Sequence, residues 1–184
     1  MFEEILARLA AALGRHGIPF MVIGGQAVLL YGEPRLTRDI DVTLGVGTDR
    51  LNSVLALLGE IPLRPLPPDL EAFVGRTMVL PALHEASGVR VDFIFSFTPF
   101  ERQAIARART VELGGQQVRF ASPEDVIILK IFAGRPRDLE DVATIVSNQP
   151  GLDRAYIRRW LAEFDAADHE PSFLGRFQEI LDAE

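Results

Sequence analysis

Asp39 and Asp41 stand two apart in the run Asp39-Ile40-Asp41-Val42-Thr43, where acid and branched apolar side chains alternate. Alternate residues of an extended strand project to one face, so the two carboxylates are expected side by side, roughly 6–7 Å apart at their Cα atoms. Two bare acids at that spacing repel. A hard cation with oxygen ligands relieves the repulsion and can bridge phosphate oxygens. An isolated Asp-x-Asp is more often the wet face of an edge strand, so the pair alone decides nothing. A third acid, Asp92, lies in Val91-Asp92-Phe93-Ile94-Phe95, an otherwise apolar strand where an uncompensated carboxylate is costly. Its partner is either a protein cation, with Arg90 and Arg119 the candidates, or a metal shared with the other two acids. In the second case Asp92 can also accept a proton from an attacking hydroxyl.

Gly24-Gly25 ends the apolar run Phe20-Met21-Val22-Ile23 and opens a helical segment. Glycines there let backbone N–H groups approach a phosphate, and a helix N-terminus favours negative charge; a Gly-Gly pair by itself is more often only a turn. Arg35 and Arg38 flank the acidic strand, and either bind the phosphates of a triphosphate or acceptor or neutralise the two acids. His16, His84 and His169 have no metal-ligand spacing. Trp160, Phe164 and Phe173 sit at helical spacing among apolar neighbours and read as core, not as a base-stacking platform.

The elements that must position these groups follow from periodicity. Phe2, Ile5, Leu6, Leu9 and Leu13 predict an amphipathic helix over 2–16, stopped by Gly17-Ile18-Pro19. A buried strand over 20–23, a short helix over 26–31 closed by Gly32, and the acidic strand follow. A helix is expected over 48–59 and a loop where Pro62, Pro65, Pro67 and Pro68 cluster. Two runs between 77 and 95, on either side of Glu85-Ala86-Ser87-Gly88, predict an antiparallel pair. A helix over 99–108 precedes a hairpin of 110–113 and 117–120 joined at Gly114-Gly115. Ser122-Pro123-Glu124-Asp125 is a strong helix start, and helices are expected near 123–133, 138–147, 153–167 and 171–182.

The 184 residues suffice for a sizeable core without staples. Hydrophobic residues make up 48% and charged residues 24%, a balance that excludes a disordered tail or linker. With no cysteine, disulfides, thiolate metal sites and thiol nucleophiles are excluded. The N-terminus has acids where a secretion signal has basic residues, and no apolar run reaches membrane-spanning length, so a cytoplasmic protein without membrane partners is expected. A net charge of −7 excludes nucleic-acid binding by overall charge but not through a local basic patch. Lys130 is the one lysine among nineteen basic residues.

Taken in order, Ile23-Gly24-Gly25-Gln26-Ala27 and Tyr31-Gly32-x-Pro34-Arg35-x-Thr37-Arg38-Asp39-Ile40-Asp41-Val42 resemble the signature of the polymerase-β-like nucleotidyltransferases, most closely the AbiEii-like toxin-type branch. The resemblance spans most of the chain, and Asp92 falls where the family's third acid is expected. It implies an α/β (α+β) minimal nucleotidyltransferase fold with a mixed sheet flanked by helices. Residues 1–120 would form the core and 121–184 a helical region, either packed on it or continuous with it as one domain. It further implies a two-metal Mg2+ site of Asp39, Asp41 and Asp92, with these acids catalytic and Gly24, Gly25, Arg35, Thr37, Arg38 and Lys130 binding the nucleoside triphosphate. Lys130, Arg135 and the run Arg137-Asp138-Leu139-Glu140-Asp141 match a C-terminal motif of that branch. Asp138 and Asp141, at i and i+3 of a helix, would by the resemblance lie near the site or brace the helical half; helix capping and surface ion pairing are the alternative.

Two departures stand out. Gly25 replaces the serine of many superfamily members, and Arg137 replaces a frequent lysine. The implied activity is transfer of a nucleoside monophosphate to an acceptor hydroxyl, with tRNA as one acceptor and an antitoxin protein as partner. The alternatives are an acceptor on protein or a small molecule, and a binding module of the same fold that has lost catalysis.

Overall fold

Acidic Glu3 and Glu4 begin helix α1 (Phe2–Arg15) and Arg15 ends it, both placed to complement the helix dipole, while Ile5, Leu6, Leu9 and Leu13 form its buried stripe. This is seen in a computed structural model that describes residues 1–96, 98–167 and 172–183; His169 and the start of the helix expected from 171 lie outside the described residues. Gly17, with φ of 60°, turns the chain into the buried strand β1 (Phe20–Ile23). Helix α2 (Gly24–Tyr31) follows without a spacer, so the two glycines are its first turn and not a loop before it. Then come β2 (Asp39–Leu44), a 3-10 turn at Thr48–Arg50 and α3 (Leu51–Leu58).

The proline-rich stretch differs from the expected loop. It contains a short strand, β3 (Leu63–Pro65), and is followed by a helix the periodicity did not reveal, α4 (Leu70–Thr77). Pro65 pairs with Ala82 on the outermost strand of the sheet, where a missing N–H is tolerated. Asp69 starts α4 by accepting the Ala72 N–H at 3.1 Å. The remaining elements of this half are β4 (Val79–His84), β5 (Val89–Phe95), α5 (Pro99–Arg107), β6 (Arg109–Leu113) and β7 (Gln116–Phe120). Helix α5 starts with a full capping box between Thr98 and Glu101.

The strands form one sheet in the order β3-β4-β5-β2-β1-β7-β6. It is mixed: β2 with β5 and β1 with β7 are parallel, and the other pairs are antiparallel. The fold is therefore α/β with a mixed sheet, as the sequence implies.

The chain divides into two compact units. The first comprises Met1–Gln26 and Thr37–Ala121, and the second Ala27–Leu36 with the chain from Ser122 onward. In the first, the core is built on the sheet, with Ile40, Val42, Leu44, Val91, Phe93 and Phe95 fully shielded from solvent. The second contains α6 (Pro123–Ala133), α7 (Pro136–Asn148), α8 (Arg154–Ala167) and α9 (Phe173–Asp182), around Ile127, Ile131, Val142, Ile145, Ile157, Leu161 and Phe177. Trp160 and Phe173 are buried there, as expected of core residues, and the half-buried Phe164 joins their ring cluster. Asp125 is wholly buried at the start of α6, where the Ser122 hydroxyl at 2.6 Å and the Tyr156 hydroxyl at 2.7 Å donate to its carboxylate.

Candidate active site

The parallel register of β2 with β5 sets Asp41 opposite Asp92 and Asp39 opposite Arg90. Asp39 and Asp41 share a face of β2, as Arg90 and Asp92 share a face of β5, because alternate residues of a strand point the same way. The result is a two-by-two patch of three carboxylates and one guanidinium. The other face carries Ile40, Val42, Val91 and Phe93, all buried. A one-residue slip of either strand would bury acids and expose that core, so the hydrophobic pattern fixes which way the acids face. Asp39 is exposed, whereas Asp41 and Asp92 are half-buried.

Asp92 has a protein partner: Arg90 Nε donates to its Oδ1 at 2.7 Å. Chiefly this hydrogen bond, opposed by partial burial and aided by the charges of Asp92, Asp39 and Asp41, raises the Arg90 pKa. The other candidate partner, Arg119, instead donates to the Ile105 carbonyl at 2.7 Å.

Gly24 lies against the second acid. Strand β1 pairs antiparallel with β2 and sets Ile23 opposite Asp41, so the next residue turns across that carboxylate. A Cβ on Gly24 would stand 2.0 Å from Asp41 Oδ2 and 3.0 Å from its Cγ, and its φ is +64°. A side chain there would displace the Asp41 carboxylate and strain the backbone, so both conditions favour glycine. The N–H groups of Gly24 and Gly25, in the first turn of α2, have no partners within the helix and suit an anion. Beside them Gln26 is buried, and its Nε2 makes no hydrogen bond; nothing in its residue type or spacing signalled this.

Among the described residues, no three His, Asp or Glu side chains are grouped to hold a metal ion as they stand. The donor set nonetheless suits a hard divalent cation. All three groups are carboxylates in register on adjacent strands, and the chain has no soft sulfur ligand from cysteine. One oxygen of Asp92 is occupied by Arg90.

In the second unit a separate charge cluster is almost closed to solvent. Lys130 Nζ lies 2.5 Å from Asp138 Oδ1 and 2.8 Å from Asp141 Oδ2. Arg35 forks onto both oxygens of Asp141, Nε at 2.7 Å and an Nη at 2.8 Å. Burial alone would push the Asp141 carboxyl up, but the hydrogen bonds and charges of Arg35 and Lys130 outweigh it and hold its pKa below the ordinary aspartate range. Asp138 and Asp141 are thus buried ion-pair partners and not surface ones. Within this unit Arg35 pairs with Asp141, and Lys130 pairs with both acids. Arg135 is 80% exposed and only touches Asp138, 3.4 Å away, and Arg137 is exposed. In the first unit, Arg38 is exposed and the Thr37 hydroxyl donates to the Asp39 carbonyl at 3.4 Å.

The fold is similar to those of several solved proteins. The antibiotic-resistance factor ANT(2'')-Ia, solved in solution, superposes with a TM-score of 0.59 at 17% identity, over 90% of this chain and 92% of that one. An antigenic nucleotidyltransferase-like protein from Paracoccidioides brasiliensis gives 0.56 at 17% identity, over 99% and 92%. The lincosamide antibiotic adenylyltransferase LnuA, bound to lincomycin, gives 0.54 at 15% identity, over 78% and 96%. No curated protein matches the chain in sequence. The family model "Nucleotidyl transferase AbiEii toxin, Type IV TA system" matches residues 4–183, and the chain belongs to that family. It is a nucleotidyltransferase enzyme, moving a nucleoside monophosphate from a nucleoside triphosphate.

Among the described residues no helix is long and apolar enough to cross a membrane.

Proposed function

We propose that this enzyme is a cytoplasmic toxin that transfers the nucleoside monophosphate, with Mg2+, to a hydroxyl at a tRNA end and is neutralised by an antitoxin protein. The observation that carries the site is the register that sets Asp41 opposite Asp92 with Asp39 on the same face, behind Gly24, where a Cβ would meet the Asp41 carboxylate.

Asp39, Asp41 and Asp92 would hold the metal, which when bound supplies positive charge to the triphosphate and to the attacking and leaving oxygens. The N–H groups of Gly24 and Gly25 donate to phosphate oxygens, and the exposed Arg38, next to Asp39 in the chain, adds a cation. Asp92 accepts the proton of the acceptor hydroxyl as that oxygen forms its bond to the α-phosphorus. The bond from the α-phosphorus to the bridging oxygen breaks, and pyrophosphate leaves. The family's toxin description supports the toxin and antitoxin roles.

Label transfer from each α-labelled nucleoside triphosphate onto total tRNA, onto cell protein and onto aminoglycosides tests the reading, with Asp39→Ala/Asp41→Ala as control. Label on tRNA with the wild type alone supports it. Label on protein or drug retains the chemistry and replaces the acceptor.

A further inference from the structure

The acidic patch carries its own cation. Three carboxylates share one face of β2 and β5, and the position opposite Asp39 is Arg90, on the same face as Asp92 and hydrogen-bonded to it. A strand residue that served only solubility would extend away from the sheet. Arg90 instead folds back along its own strand, so its guanidinium lies in the field of all three acids, with its side chain still half exposed. A guanidinium neutralises carboxylates at short range as a divalent ion does, and it uses the same oxygens. We infer that Arg90 is a resident counter-cation of the acidic site, holding Asp92 while no divalent ion is bound and yielding that carboxylate when one arrives.

The inference rests on the reading of Asp39, Asp41 and Asp92 as metal ligands, and it adds a competition. A divalent ion must displace Arg90 from Asp92 to gain that oxygen, so Arg90 weakens binding of the bare ion and keeps Asp92 paired when no ion is bound. Arg90 is a positioning residue in this role. It sets where the Asp92 carboxylate points and when it is free.

The test needs no turnover. Mn2+ alone is titrated into the full chain by calorimetry and by electron paramagnetic resonance of the free ion, for wild type, Arg90→Gln, Arg90→Lys and Asp92→Asn. Removing one close opposite charge from a carboxylate changes its affinity for a competing cation by about tenfold, so Arg90→Gln is expected to bind Mn2+ about tenfold more tightly than wild type. Arg90→Lys should fall between the two, and Asp92→Asn should bind more weakly than any of them. In parallel, the melting temperature of Arg90→Gln should drop in chelator and rise on adding Mn2+ by more than that of wild type. A residue that merely braced the sheet would lower both melting temperatures equally and leave Mn2+ affinity unchanged. Equal affinity of wild type and Arg90→Gln, with Asp92→Asn weakened, overturns the role of Arg90 and leaves the metal site standing. Absence of Mn2+ binding in wild type and Arg90→Gln alike overturns both.

Discussion

The α-carbon of Gly24 lies so close to the Asp41 carboxylate that a single added methyl group would stand 2.0 Å from Oδ2. The turn and the acid are thereby one object. Gly24→Ala must move Asp41 or the start of α2, and it also strains a φ of +64°. The backbone strain alone is worth on the order of 1–3 kcal/mol, and a displacement of about 1 Å at such a site costs about a hundredfold in rate. Denaturant unfolding should show a loss in that range, with transfer reduced at least about a hundredfold. Near-normal transfer in Gly24→Ala would show that the close approach has no part in the chemistry.

Lys130 is expected to act first as a structural cation. It is buried between Asp138 and Asp141, and removing one partner of a buried ion pair costs roughly 3–5 kcal/mol. Lys130→Met should lose that much in urea unfolding, and Lys130→Met/Asp138→Asn should lose less than the sum of the single variants, because the orphaned charge is gone. A Lys130→Met protein of wild-type stability would return the lysine to a role at the substrate phosphates.

Acid should loosen the same cluster. The Asp141 pKa is lowered in the folded chain, so its contribution is fully present above the unfolded value of about 4 and is lost as pH falls through the folded value. Urea midpoints measured from neutral pH down through about pH 3 should fall more steeply for wild type than for Asp141→Asn, which has no carboxylate to protonate. Parallel slopes would mean that the fork from Arg35 holds no linked proton.

Tyr156→Phe removes one of the hydroxyls donating to the buried Asp125. Leaving a buried acceptor short of a donor costs about 1–3 kcal/mol, so the melting temperature should drop although the residue lies outside the acidic site. An unchanged melting temperature would mean that the carboxylate's remaining partners satisfy it.

Much of this was legible beforehand. The strand period placed Asp39 and Asp41 on one face, and the apolar neighbours of Asp92 marked it as an acid in need of a partner. Local patterns say nothing of which strands become neighbours, so the register opposing Asp41 to Asp92 and Asp39 to Arg90 came only with the sheet. The strand Leu63–Pro65 was hidden because proline reads as loop unless the strand is known to lie at an edge. The helix Leu70–Thr77 was hidden because it is short and buries only Val74. The pairing of Arg35 and Lys130 with Asp141 is not visible in local sequence, because Asp141 lies 106 residues from Arg35 in the chain. Arg90 carried a usable signal, a cation two residues from an acid on one strand, and it was weighed only as a neutral salt bridge.

The decisive experiment compares α-labelled with γ-labelled nucleoside triphosphate in wild type, Asp41→Asn and Asp92→Asn, each shown by circular dichroism to be folded. The acids at the register pair are predicted to support transfer of the α label with release of unlabelled pyrophosphate, no transfer of the γ label, and a loss of at least about a thousandfold in either variant. Transfer of the γ label, or α-label transfer at wild-type rate in a folded Asp41→Asn or Asp92→Asn, would contradict nucleotidyl transfer at this site.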